Sequence, residues 1–171
     1  MHFKERSDYK TPPPIQLSIE HDPDTFYLYT VIMNNFSKNT QIFLEILEDE
    51  RSGRVKEALE KMSSDYSMTW VYQTRSGELF PKSENNFEKE VENIYQIKNR
   101  EYDIKNITEN DNVVMIELIE SYPDLETNKI YRTPLVLVLE MENGKIKKGR
   151  HYCDPTISFL CLSKEQIDEI Y

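Results

Sequence analysis

Apolar and polar positions along the chain change their period several times, and each change predicts an element. Residues 1–22 carry no period, and Thr11-Pro12-Pro13-Pro14 is a stiff, extended stretch unfit for a helix interior. Asp22-Pro23 then reads as a helix start, with Asp22 as cap and Pro23 in the first helical position. Over Thr25–Phe36, the side chains Phe26, Tyr29, Met33 and Phe36 share one helical face. Tyr27, Leu28, Val31 and Ile32 leave little polar face, which is the pattern of a buried helix. Beyond Ser37-Lys38-Asn39-Thr40, the stripe Ile42, Phe43, Ile46 and Leu47 predicts a second helix. Val55, Ala58, Leu59 and Met62 predict a third, after an interruption at Ser52-Gly53. The acidic cluster Glu48-Asp49-Glu50 between them reads as a solvated surface.

From Asp65 the period becomes two. Tyr66, Met68, Trp70 and Tyr72 alternate with Ser67, Thr69, Val71 and Gln73, predicting a strand with one aromatic face. A turn at Arg75–Glu78 follows, and Phe87, Val91, Ile94 and Tyr95 predict a further helix over Asn86–Asn99. The rest is strand: Tyr102–Thr108, Val113–Tyr122, Ile130–Glu142 and Ile146–Asp154. The first two are joined by a tight turn at Glu109–Asn112, and Pro123–Asn128 forms a longer polar loop. Glu142-Asn143-Gly144-Lys145 carries the Asn-Gly signature of a two-residue hairpin. Ser163 with Glu165-Gln166 predicts a short C-terminal helix closed by a capping box. Helices followed by hairpin-linked strands make an α+β domain, not a doubly wound α/β one. The expected organisation is an arm and extra helix at 1–37, one domain at 38–160 and a tail at 161–171.

Composition narrows the function classes. The chain has 171 residues, long enough for one well-packed core. Against 31 Asp and Glu there are only 21 Lys and Arg, a net charge of −10, so neither nucleic acid nor an anionic membrane is expected as partner. The longest strictly apolar run, Leu135–Leu139, is far short of a bilayer span, and the N-terminus has no secretory pattern. Two cysteines, Cys153 and Cys161, fit a reducing compartment, and a cytoplasmic location is expected. Three histidines and no C-x-x-C leave no metal-ligand spacing, and no glycine-rich phosphate loop occurs.

This order of elements resembles the nuclear transport factor 2-like superfamily over Asn39–Phe159. The superfamily includes ketosteroid isomerase, scytalone dehydratase and the SnoaL-like polyketide cyclases. Phe43–Leu47, Val55–Met62 and Asp65–Trp70 look like its opening helix pair and first strand, and Asn86–Asn99 like the following helix. Gly144-Lys145-Ile146 through Tyr152-Cys153-Asp154-Pro155 looks like its last hairpin, ending in an aromatic residue followed by Asp. The resemblance implies a cystatin-like cone, in which a curved antiparallel sheet wraps N-terminal helices around a pocket. It also implies acid–base chemistry with no cofactor and no metal.

Candidate chemistry follows from that pocket. An apolar cone raises a carboxyl pKa toward neutrality, which suits a proton shuttle. Asp154 matches the family's last-strand Asp and shares strand parity with Tyr152 and Arg150. It reads as a shuttle with Tyr152 as hydrogen-bond donor, or as the cap of the Asp154-Pro155 turn or a partner of Arg150. His151 falls on the opposite face, as a catalyst or a surface histidine. Trp70, Tyr72 and Tyr131 are either aromatic walls that stack on a flat ligand or core. Glu117 and Glu120 lie on opposite faces of one strand, so at most one faces the pocket. Two functions remain open. One is a small-molecule isomerase, cyclase, dehydratase or hydrolase acting on a compact apolar substrate. The other is a non-catalytic ligand-binding or protein-interaction module. Either would be expected to dimerise through the convex sheet face.

Overall fold

Lys38–Ser52 forms helix α1 and Val55–Glu60 forms α2 in the computed structural model, which describes residues 36–74, 76–83 and 99–170. The arm and helix expected before residue 36, and the helix expected over Asn86–Asn99, lie outside the described residues except for their last positions. Ser37 caps α1, its hydroxyl oxygen accepting from the Thr40 amide, and the Ser37 and Thr40 hydroxyls both donate to Glu109. Gly53 closes the helix in the left-handed region, at φ 71°. The predicted stripe of Ile42, Phe43, Ile46 and Leu47 is buried.

The strands are β1 (Met62–Trp70), β2 (Lys82–Ser83), β3 (Glu101–Asn110), β4 (Val113–Pro123), β5 (Ile130–Glu142) and β6 (Lys145–Cys153). They form one sheet in the order β2-β1-β6-β5-β4-β3. Strands β3 to β6 run as an antiparallel meander, and the β5–β6 turn has Asn143 at φ 52° and Gly144 at φ 73°. Asn and Gly tolerate that pair of angles best. The expectation of a wholly antiparallel sheet needs one correction: β1 pairs with β6 in parallel. A parallel pair needs a long connection, and here everything from residue 71 to 144 supplies it. β1 also starts earlier than its alternation predicts, because Ser63 and Ser64 are both polar and hide its first turn of the pleat.

Register shifts between Met62 and Ser67, Ile104 and Asn106, and Glu140 and Met141 interrupt three of the ladders. Such irregularities increase local twist and bend a sheet, here around α1. Ile104, Val114, Ile116, Leu118, Leu139 and Ile146 pack with the α1 stripe into one core. Two short helices follow β6, α3 (Pro155–Ser158) and α4 (Lys164–Asp168). The capping box predicted at Ser163 is present, with Gln166 as its second member. The C-terminal segment is tied to the outer sheet face. Arg132 donates to the Leu162 carbonyl at 2.8 Å, and Lys105, 2.9 Å from Asp103, also reaches Asp168 at 3.5 Å.

The acidic cluster is not a uniform solvated surface. Glu48 pairs with Arg51, but Asp49 is only 4% exposed and accepts from Arg54 Nε at 2.9 Å and Lys61 Nζ at 2.6 Å. Asp49 thereby ties the end of α1 to the residues that flank α2. Glu50 turns inward. It lies three residues after Leu47 and four after Ile46, so it continues the buried stripe.

Candidate active site

Between α1 and the inner sheet face lies a cavity of about 290 Å³. Its closed end is apolar: Phe43, Met62, Leu139 and Ile146 are all nearly fully buried. At the other end Trp70, Glu120, Tyr122 and His151 are half-buried, so the mouth is there. Alternation places these groups. On β4 the even residues Leu118, Glu120 and Tyr122 face in. On β6 His151 faces in, between Trp70 of β1 and Leu137 of β5 in register.

Ionisable side chains, Glu50, Arg100, Tyr102, Glu120 and His151 among them, concentrate in this largely apolar space. Arg100, 6% exposed, donates through Nη1 to the Glu120 carboxylate, and its guanidinium stands 4.8 Å from the centre of the Tyr122 ring. The Tyr102 hydroxyl donates to the Glu50 carboxylate. His151 completes the group from the β6 wall. Two nitrogens here are buried and have no hydrogen-bond partner, Arg100 Nε and His151 Nδ1. Buried polar atoms are nearly always paired, so two orphans at one cavity mark a place where a ligand's polar atoms belong.

The electrostatics define which groups hold protons. Burial depresses the His151 pKa, and the negative charge of Glu120 opposes this only in part, so the ring is neutral at neutral pH. Burial on its own would lower the Arg100 pKa, but Glu120, Tyr102 and Glu50 outweigh it and hold the cation. Burial, then the charges of Glu50 and Glu120, push the Tyr102 phenol far above its usual range, and it stays a proton donor. Tyr66, also on the wall, is raised by burial and by Glu50. Cys153 is pushed up to about 11, first by burial and then by Glu120 and Asp154, so it is a thiol, not a thiolate.

Of the residues singled out in sequence, Trp70 and His151 line the cavity. Asp154, Tyr152 and Arg150 do share one face, but it is the outer one. Asp154 is exposed and caps α3, accepting from the Thr156 amide at 2.9 Å and its hydroxyl at 2.6 Å. Those two bonds lower its pKa, which is the opposite of what a neutral-pH shuttle needs. Tyr152 is 41% exposed, and Arg150 is bonded to Glu140 at 2.6 Å across the outer surface. Tyr72 lies past the end of β1, half-buried, with its carbonyl accepting from the Phe80 amide; it is not on the cavity wall. Tyr131 stands one ring outside, edge-on to Tyr122 at 5.8 Å, its hydroxyl bonded to Asp124 at 2.9 Å. Of the two glutamates on β4, Glu120 faces the cavity, and Glu117 faces out and accepts from Asn106.

Arg100, Tyr102 and Glu50 escaped the sequence reading. Tyr102 sits on the Ile104 parity, Arg100 two residues before it, and Glu50 on the α1 stripe, so extending each pattern by one step finds them. Among the described residues no cluster of three or more His, Cys, Asp or Glu forms a metal site, and no helix is long and apolar enough to cross a membrane.

No protein-family model matches the chain, and no curated protein matches it in sequence. Solved structures match its fold. A nuclear transport factor 2-like protein of unknown function from Cytophaga hutchinsonii aligns over 71% of this chain and 94% of its own, at 16% identity and a TM-score of 0.55. IdmH, a candidate polyketide cyclase of Streptomyces antibioticus, aligns over 73% and 98%, at 9% identity and a TM-score of 0.59. An epoxide hydrolase of M. tuberculosis aligns over 78% and 94%, at 13% identity and a TM-score of 0.58. The chain thus has the nuclear transport factor 2-like fold, a curved sheet wrapped on a helix with a pocket in its mouth.

Proposed function

We propose that this protein is a small-molecule enzyme that moves protons on a compact, mostly apolar carbonyl compound, without a resident cofactor. The supporting observation is the pair of orphaned nitrogens, one on a neutral ring and one on a permanent cation, at the wall of an apolar cavity. A neutral imidazole accepts a proton from the carbon beside a carbonyl. The negative charge that develops on the carbonyl oxygen is met by Arg100 Nε–H, which is already buried and oriented. His151 then returns the proton to a second carbon, so substrate and product are isomers and nothing else is consumed. Glu120 holds Arg100 in place, and Tyr102, whose one hydroxyl proton goes to Glu50, fixes that carboxylate at the cavity wall. The volume, at the low end for ligand sites, sets the size of the reacting part. Similar structures named for cyclase and hydrolase activities support the same broad class.

Deuterium incorporation tests this without knowledge of the natural substrate. Cyclic ketones and enones are incubated with the protein in D₂O and followed by NMR. Exchange beside the carbonyl should exceed the buffer rate, and His151→Asn should lower the enhancement at least about a hundredfold. An unchanged rate in that variant, or no enhancement with any member of the panel, overturns the reading.

We further propose that the active form is a homodimer joined through the outer sheet face. There Met115 pairs with Val138 and Val136 with Tyr152, apolar positions interleaved with Glu117 and Arg150 on the same face. Met115 and Tyr152 are 40% and 41% exposed, more than an unpartnered sheet centre needs.

A further inference from the structure

From Tyr122 on the cavity wall, ring contacts lead outward. The Tyr122 ring meets Tyr131 edge-on at 5.8 Å, and Tyr131 meets Phe159 in the same way at 5.8 Å. Three rings therefore run in unbroken contact from the cavity wall to the surface. The outer end is apolar and open to solvent: Phe159 is 53% exposed and Leu160, next in the chain, 65%. Two further apolar side chains flank the inner part of this path in sequence, Leu125 at 71% exposure and Ile130 at 37%. Large apolar side chains left exposed where the ring contacts end, at Phe159 and Leu160, are an unusual use of surface in a chain with so much charge.

The track is also held in place. The Tyr131 hydroxyl is fixed by Asp124, whose carboxylate also accepts from the Thr127 hydroxyl at 2.7 Å and its amide at 2.6 Å. These bonds, the Thr127 side chain first, take the Asp124 carboxyl down to about 2, so it remains an acceptor at any working pH. On the other side Ser158, next to Phe159, is hydrogen-bonded to Thr133 of β5 and is buried. The Tyr131 ring is thus anchored directly, and Phe159 through its neighbour Ser158. Anchored aromatic rings offer apolar contact at low entropic cost.

We infer that the substrate is an amphiphile longer than the cavity, with its carbonyl end inside and an alkyl or aryl tail laid along Tyr122, Tyr131 and Phe159. This rests on the carbonyl reading above and adds the class of molecule: a compact reacting head carrying an apolar chain. The tail is the single occupant proposed for this surface, because the rings are continuous with the cavity that would hold the head.

A homologous series of 2-alkylcyclohexanones, methyl to octyl, separates the two ideas. Trp70 is the only tryptophan and lines the cavity, so its fluorescence reports the bound head. Affinity should rise on the order of twofold to threefold per methylene, and keep rising beyond the length that fills the cavity. Phe159→Ser should cost the octyl compound on the order of tenfold and leave the methyl compound unchanged, and Phe159→Leu should retain most of the gain. Affinity that levels off with length, or a Phe159→Ser loss equal for methyl and octyl, overturns the track and leaves the carbonyl reading standing. Length-dependent binding without deuterium exchange does the reverse. No response from any homologue overturns both.

Discussion

His151 gathers the consequences that a single side chain has for this protein. Burial lowers its folded pKa below the usual imidazole value of about 6.5, near which an unfolded chain titrates. The sign follows directly. Above pH 6.5 the ring is neutral in both states and its contribution to stability is complete. As the pH falls below 6.5 the unfolded chain takes up the proton first, and stability declines until the folded ring also protonates. The same depression keeps the ring neutral in mildly acidic solution, as the proposed base must be. In ¹H–¹³C NMR titration, the His151 ring signal should therefore have its midpoint below 6.5, with the acid limb of the exchange rate following it. A midpoint at or above 6.5 would contradict the burial of the ring. Asp154 teaches the converse. Its position at the end of the last strand and its neighbours Tyr152 and Arg150 were all legible, but parity says only that residues share a face, never which face is concave.

At the scale of the element, β6 owes its place to Gly149. A Cβ there would stand 2.7 Å from Met68 Sδ and 3.0 Å from the Tyr66 hydroxyl, both on neighbouring β1 and both lining the cavity. The missing side chain lets two large β1 residues lean over β6. Gly149→Ala must displace the Met68 tip, and it should lower stability by on the order of 1–2 kcal/mol in urea titration, with a blue or red shift of Trp70 emission as the wall rearranges. An unchanged midpoint and spectrum would show that the wall has slack. Long elements with a strong period were plain in the sequence: α1 from its stripe, β5 and the hairpin turn from alternation and Asn-Gly. The parallel seam was not, because strand alternation carries no information about direction. Nor were the inward turn of Glu50 and the pairing of Arg100 with Glu120. Charged residues at the ends of apolar patterns look like surface until the third dimension closes over them.

The whole molecule combines a large acidic excess with exposed apolar side chains, Met115 and Tyr152, on its outer sheet face. Net charge disfavours chance association, so a self-complementary patch in the sheet centre is best satisfied by one symmetric partner. Native mass measurement should give twice the chain mass of 20.4 kDa, and Met115→Lys, which places two like charges across the two-fold axis, should give single chains with unaltered circular dichroism. A monomeric parent protein, or a variant that still dimerises, would remove the outer face from consideration.

The seam between β1 and β6 also shapes how the chain reaches this state. Its register joins Met62 to Ile146 and Trp70 to His151, positions some eighty residues apart, whereas β3 to β6 are linked by short turns. Closing so long a loop costs entropy that local hairpins do not incur. The meander can therefore assemble early as a self-contained scaffold, with β1 arriving afterwards and bringing α1 with it. Trp70 and His151 meet only when that long-range seam closes. A partly unfolded chain that keeps the meander but opens this seam separates Trp70 from His151 and so opens the cavity wall.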